Sequence, residues 1–267
     1  MKLKATLFPL LVNLLNIETE RLLVLPINIL DKRLLAVITT SKLPLSYVKL
    51  LLSGQKDDLP ISEQQVHRSV HCKTKRLLDI AGSLVGLTIT GVLTIPIAIA
   101  MQLDNPGPVF YSQIRCGVNG KHFRIWKFRS MIVDAEKYQH LIKNEAHGQI
   151  FKNENDPRIT KVGKFLRRTS LDEFPQFLNV LKGDMSLVGT RPPTPNEVQN
   201  YEIHHFQRLN VKPGLTGEWQ ANGRSEVSDF DDIVRMDIAY QQKWSPLYDI
   251  NLIFKTIHAV LAQKGAC

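Results

Sequence analysis

The chain has 267 residues, enough for one or two domains with a real core. It carries 34 Lys+Arg against 25 Asp+Glu, a net charge of +9, which suggests an anionic partner: nucleic acid, anionic lipid or phosphorylated substrates. The three cysteines, Cys72, Cys116 and Cys267, are far apart, show no CxxC or Cys/His metal spacing and do not suggest a disulfide framework, so a reducing, cytosol-facing location is expected.

The chain opens on MKLKATLFPLLVNLLNI, two lysines and then an apolar run. No small-x-small cleavage site follows, the run is short for a bilayer and Pro9 interrupts it, so it reads as a packed or interfacial segment. From Ile80 to Leu103 there are 24 residues without a charge, where about 20 suffice to cross a hydrocarbon core. Pro96 lies inside this run and predicts a kink, because it removes a helical N–H and crowds the preceding turn. Lys73, Lys75 and Arg76 precede the run; Arg115, Lys121, Arg124, Lys127 and Arg129 follow it. Basic flanks favour the cytoplasmic side. With both ends basic, the segment reads as a re-entrant helix that enters and leaves by that face. A simple span stays open, because large folded domains can escape the charge rule. These bases can also meet anionic head groups.

DNPGP (Asp104–Pro108) is turn chemistry and ends the helix. Two runs rich in aromatic and β-branched residues then flank GVNG, so a hairpin is expected, with strands near Val109–Arg115 and His122–Phe128 and a turn at Asn119-Gly120. The polar stretch Asp134 to Asn155 reads as an exposed helix and a loop. Phe174, Phe177, Leu178 and Leu181 fit one helix face. KGDMSLVGTRPPTP reads as a loop; it is neither a P-loop nor a nucleophile elbow. VKPGLTGEWQANGR is another loop-like segment. The pair His204-His205 has no partner at ligand spacing and reads as a solvated feature rather than a metal site. Ser228 with Asp229, Asp231 and Asp232 looks like a capped helix start. A last helix near Asp249–Gln263 places Ile250, Ile253, Ile257, Val260 and Leu261 at amphipathic spacing, to pack on the core or, alternatively, to lie on a membrane.

The stretch RRTSLDEFPQF sets Asp172 and Glu173 side by side. Ser170 to Glu173 matches the S-x-x-E capping box, and acids in a first turn suit the helix dipole. Pro175 sits awkwardly for a helix capped at Ser170, because its missing N–H falls where a bond is needed. By spacing alone, a helix start is the simpler reading. The surroundings weigh the other way. Arg167, Arg168 and Arg191 approach in sequence from both sides, and Lys127 and Arg129 come from the hairpin. Arginine holds phosphate in two-point contact. A carboxylate can attack phosphorus, and its neighbour can hold Mg²⁺. Adjacent helical residues point about 100° apart, so each acid can face its own partner.

Four stretches, KRLLDIAGS, GPVFYSQIRCGVNGKHFRIWKFRSMIVDAE, NDPRITKVGKFLRRTSLDEFPQFLNVLKGDMSLVGTRP and VKPGLTGEWQANGR, resemble the bacterial sugar transferases, the monotopic polyprenyl-phosphate hexose-phosphate transferases. The resemblance runs from about Thr74 to the C-terminus. It implies transfer of a sugar phosphate from a UDP-sugar to undecaprenyl phosphate with release of UMP, at the cytoplasmic face of the bacterial inner membrane. It also implies a ping-pong route through a phosphosugar-aspartate, with Asp172 as nucleophile and Glu173 as its Mg²⁺-associated partner. Arg167, Arg191, Lys127 and Arg129 are then the phosphate-binding bases. Lys75 and Arg76 would be the basic entry at the head groups, and Pro96 the break of a re-entrant helix. The fold it implies is mixed α and β, mainly helical: an N-terminal extension over 1–70, a re-entrant membrane helix over 71–104, and a cytosolic catalytic domain over 105–267 with a small β-hairpin and amphipathic interfacial helices. Two departures stand out: Thr190 replaces a frequent proline in GTRP, and residues 1–70 have no counterpart in the small members. A catalytically silent membrane scaffold for glycan-assembly enzymes is the competing reading, and the intact acid pair argues against it. A nucleic-acid partner is not expected, since no recognised motif for one occurs.

Overall fold

The computed structural model describes residues 66–145, 151, 153, 155–223 and 229–262. They fall in one compact unit, Gln65–Cys267. The N-terminal run, Ser228 and the residues beyond 262 lie outside the described residues. The fold is mainly helical, with two small two-stranded sheets.

Helix α1 (Lys73–Asp104) is the one described helix long and apolar enough to cross a membrane. It turns the usual amphipathic logic inside out. Its buried stripe is largely polar or small, Lys75, Asp79, Ser83, Gly86 and Thr90, before Ile97 and Met101. Its exposed face is apolar: Leu77, Leu84, Val85, Val92, Ile95, Ile99 and Leu103, the last 83 % exposed. A contiguous apolar surface of this kind marks a membrane or a partner. The hydroxyls of Thr90 and Thr94 donate back to the carbonyls of Gly86 and Thr90, both at 2.7 Å, which suits a segment away from water. Pro96 lies inside α1, which runs on to Asp104. Ile97 and Met101, just past the proline, pack with Phe128 and Leu166 and hold the helix in place.

The unit is gathered along α1 from end to end. Near its start, Asp79 accepts from the Ser186 hydroxyl (2.8 Å) and the Leu187 N–H (2.9 Å). In its middle, Gly86 faces the Phe177 ring so closely that a Cβ would lie 2.4 Å from it. At its end, Asp104 accepts from the Val162 N–H at 2.9 Å.

Strands β1 (Phe110–Cys116) and β2 (His122–Phe128) pair antiparallel, with Tyr111 opposite Lys127 and Arg115 opposite Phe123. The turn between them is a tight 3-10 stretch, Val118–Gly120, in which Asn119 and Gly120 both take positive φ. That is why Asn-Gly stands there. Helix α2 (Lys161–Arg168) starts on Thr160, whose hydroxyl accepts from the Gly163 N–H. A 3-10 turn, Leu171–Gln176, follows and runs into α3 (Phe177–Lys182). The Asn179 side chain sews α3 to β2, donating to the Arg124 carbonyl (2.7 Å) and accepting from the Trp126 N–H (3.2 Å).

The segment expected to be plain loop contains a strand, β3 (Ser186–Val188), which pairs in parallel with β4 (Gly214–Thr216). Glycine permits the approach: a Cβ on Gly189 would lie 2.1 Å from the Lys212 carbonyl oxygen. Helix α4 (Pro195–Gln199) lies between the two strands in sequence and opens with a full capping box from Thr194 and Glu197. Helices α5 (Glu218–Gly223), α6 (Phe230–Lys243) and α7 (Pro246–Leu261) complete the unit. Asp229 caps α6. In α7, Leu252 enters the core while Leu247, Phe254 and Ile257 stay exposed, so the helix both packs and offers an apolar outer face.

Candidate active site

The acid pair sits where the chain turns from α2 into the 3-10 turn. Ser170 takes the left-handed conformation, φ 55°, which costs a non-glycine residue about 1 kcal/mol or more. The helix start expected there is therefore not a capping box, since Ser170 makes no side-chain cap. The difficulty with Pro175 disappears too, because it lies in a 3-10 turn ahead of α3. Asp172 is 6 % exposed. The Glu173 carboxylate accepts from the Lys127 ammonium at 2.9 Å across to the hairpin.

Arg167 comes from the last turn of α2 and donates through Nε to the Ser130 hydroxyl at 3.0 Å. Burial pulls its pKa down, and the charges of Asp172 and Asp156 push back. Arg167, Asp172, Glu173 and Lys127 therefore form one charged group. Arg191 stands in a second group. It forms a two-point pair with Glu197, at 2.8 and 3.1 Å. Burial opposes its charge, but the Glu197 carboxylate outweighs that and raises its pKa.

Arg115 feels the charges of both groups, and sequence reasoning missed it as a site residue. Its Nη1 donates to the Pro192 carbonyl at 3.0 Å, next to Arg191, and its Nη2 to the Gln113 amide oxygen at 2.8 Å. Burial and the charge of Arg191 push its pKa down to about 10, while Glu197 and Glu173 act against the fall. Strand periodicity was the available signal. Tyr111, Gln113 and Arg115 share one face with their cross-strand partners Lys127, Ile125 and Phe123.

Three expected residues are engaged elsewhere. Arg129 is 7 % exposed and clamps the turn after α1: Nε donates to Pro108 O (2.7 Å), Nη1 to Asn105 Oδ1 (2.6 Å) and Nη2 to Asn105 O (2.6 Å). Its guanidinium holds that turn through two backbone carbonyls and the Asn105 side-chain oxygen. Lys75 is 4 % exposed, and its ammonium donates to Asp249 (2.6 Å) and to the Val188 carbonyl (2.8 Å). Arg76 closes the end of α3 through the Val180 and Leu181 carbonyls, at 2.8 and 2.7 Å. Lys75 is thus committed to the interior, while Arg76 is half-buried.

His205 is likewise buried, not solvated. Among the described residues, His204, His205 and Asp231 form the one group of three metal-capable side chains. The His205 Nδ1 accepts from the Glu202 N–H at 3.0 Å, so Nε2 carries the proton of the neutral ring and donates it to Asp231 at 2.9 Å. That wiring leaves the ring no lone pair for a metal.

Fold and site together define a domain with one helix apolar enough to enter a membrane and a carboxylate pair set among bases. Residues 70–263 match the bacterial sugar transferase family, and the chain belongs to it. It is 51 % identical over 198 residues to the galactosyl transferase CpsE of Streptococcus agalactiae, covering 73 % of this chain and 44 % of that protein. It is 42 % identical over 200 residues to the undecaprenyl-phosphate galactose phosphotransferase of Salmonella typhimurium, covering 72 % and 41 %. With the exopolysaccharide production protein ExoY of Rhizobium meliloti it shares 37 % over 205 residues, 74 % of this chain and 90 % of that one. The match thus spans less than half of the first two relatives and nearly all of the third.

Proposed function

We propose that this chain transfers a sugar phosphate from a UDP-sugar to undecaprenyl phosphate, releasing UMP, as the first membrane step of a surface polysaccharide or glycan. The observation that carries the reading is the buried Asp172 beside a Lys127–Glu173 ion pair, with Arg167 close enough in charge to respond to Asp172. The intact Asp172–Glu173 pair among its bases argues against a silent scaffold.

In this reading the Asp172 carboxylate oxygen attacks the sugar-bearing phosphorus. The P–O bond to UMP breaks, and UMP leaves with the bonding electrons. An oxygen of the lipid phosphate then attacks the same phosphorus, frees Asp172 and yields the diphosphate-linked product. An acyl phosphate keeps the transfer potential of the diphosphate, so the second step need not run uphill. Both steps rest on positioning and charge neutralisation. Arg167 and Lys127 supply that charge here, and Arg191 supplies it from the neighbouring loop. Mg²⁺ suits the donors, since it is held by one or two carboxylate oxygens together with substrate phosphates. Glu173 would hold it, sharing its carboxylate with Lys127, and the metal would neutralise phosphate charge.

The reading places the domain at the cytoplasmic face of the bacterial inner membrane, with α1 re-entrant. Support comes from both ends of α1 packing on the same unit, Lys75 against Asp249 and Asp104 against Val162. The test offers membranes carrying the protein a panel of UDP-sugars with undecaprenyl phosphate and follows UMP. One sugar should give UMP that Asp172→Asn loses; release by the variant at the wild-type rate would overturn the assignment.

A further inference from the structure

Near the end of the hairpin, two carboxylates already have a cation. Glu173 is paired with Lys127, and Glu197 with Arg191. Arg115 is a third cation in the same neighbourhood and makes no ion pair among the described residues. A guanidinium carries five N–H donors. At Arg115 two hydrogen bonds are made, to Pro192 and Gln113, and the Nε–H is buried with no partner among the described residues. Next to it, the Cys116 N–H donates to the Pro193 carbonyl at 2.9 Å, so the end of β1 is fastened to the loop that carries Arg191. Two guanidiniums are thereby held within each other's field. The Glu197 carboxylate, paired with Arg191, offsets part of that repulsion, and a bound anion would offset more of it.

We infer that Arg115 and Arg191 form a phosphate subsite distinct from the Arg167–Asp172–Lys127 group, and that it is occupied in turn by the phosphate of the departing UMP and by the phosphate of the incoming lipid. This rests on the double displacement proposed above. If Asp172 attacks phosphorus in line with the leaving oxygen, UMP departs from the position opposite Asp172. The second step returns through that same phosphorus, so the lipid phosphate must enter where UMP left. One subsite then serves both, and it must lie beyond the reacting phosphorus, away from Asp172. Arg115 is tied to the Arg191 loop at the Pro192 carbonyl, and it feels the charge of Glu173.

The experiment is direct titration of the full-length protein, in detergent or nanodiscs, with UMP and separately with uridine, for wild type, Arg115→Gln and Arg115→Lys. Loss of a charge-assisted contact should weaken UMP by roughly 10- to 100-fold in Arg115→Gln. Arg115→Lys should fall between, since lysine restores the charge without the fork. Uridine, which has no phosphate, should bind all three alike. The KM for undecaprenyl phosphate should rise by a factor similar to that for UMP. Unchanged UMP affinity, an equal loss of uridine and UMP, or a lipid KM that stays put would each overturn the inference. Should Arg115→Gln fail to fold, Arg115→Lys carries the same comparison. UMP binding needs no turnover: weakened UMP binding in a protein that never releases UMP from any UDP-sugar would refute the proposed reaction and leave the phosphate subsite standing.

Discussion

Replacing Lys75 with methionine strips the buried Asp249 carboxylate of its counter-charge. Asp249 also accepts from the Tyr240 hydroxyl (2.8 Å) and the Trp244 indole N–H (3.1 Å), and these neutral donors would remain. The ion pair is 2.6 Å long with both side chains about 5 % exposed or less. Removing one member of a buried pair costs about 3–5 kcal/mol. In a unit of this size each kcal/mol moves Tm by roughly 2–4 °C, so Lys75→Met should lower Tm by about 10 °C. Scanning calorimetry or fluorescence melting of detergent-solubilised protein measures it. The double variant Lys75→Met with Asp249→Asn should recover part of the loss, because the stranded charge is gone. A head-group role predicts the opposite pattern. Tm unmoved in Lys75→Met, with weaker membrane association, would refute the buried-pair reasoning.

Arg129→Gln should behave as a stability variant. Losing the clamp on Asn105 and Pro108 leaves their oxygens without that donor, a cost of at least about 2 kcal/mol. The KM for UDP-sugar of the folded fraction should hold, whereas a phosphate contact would raise KM and leave Tm alone. The Glu197 carboxyl titrates below its ordinary value; burial alone would raise it, but the charge and hydrogen bonds of Arg191 outweigh burial. A carboxylate held low stabilises the fold fully above its unfolded pKa, and that stability drains away as pH falls through the folded pKa. Glu197→Gln should therefore flatten the acid limb of Tm against pH; a limb as steep as that of wild type would show that the pair carries no linkage.

Features encoded locally were readable before any coordinates. The charge-free run gave α1, and aromatic and β-branched runs around Asn119-Gly120 gave the hairpin, with β2 as expected and β1 displaced by one residue. Lys127 and Glu173 were both read as members of one site, but their ion pair was not foreseen. What depends on distant partners was not readable. Lys75 finds Asp249 at a separation of 174 residues, and no local pattern announces that meeting. Arg129 looked like a site base by its neighbours in sequence, yet its guanidinium folds back on a turn 24 residues earlier. Strands β3 and β4 are three residues each, too short for an alternation to show. Arg115 was passed over as flanking charge, although its strand face pointed to Lys127.

The central claim is that Asp172 carries the sugar phosphate between donor and lipid. Its most direct measurement is mass spectrometry of the protein after brief exposure to its UDP-sugar with no lipid acceptor present. The account predicts one phosphosugar adduct on the peptide bearing Asp172, absent in Asp172→Asn and discharged when undecaprenyl phosphate is added. UMP release that waits for the lipid, with no adduct at any time, would contradict it.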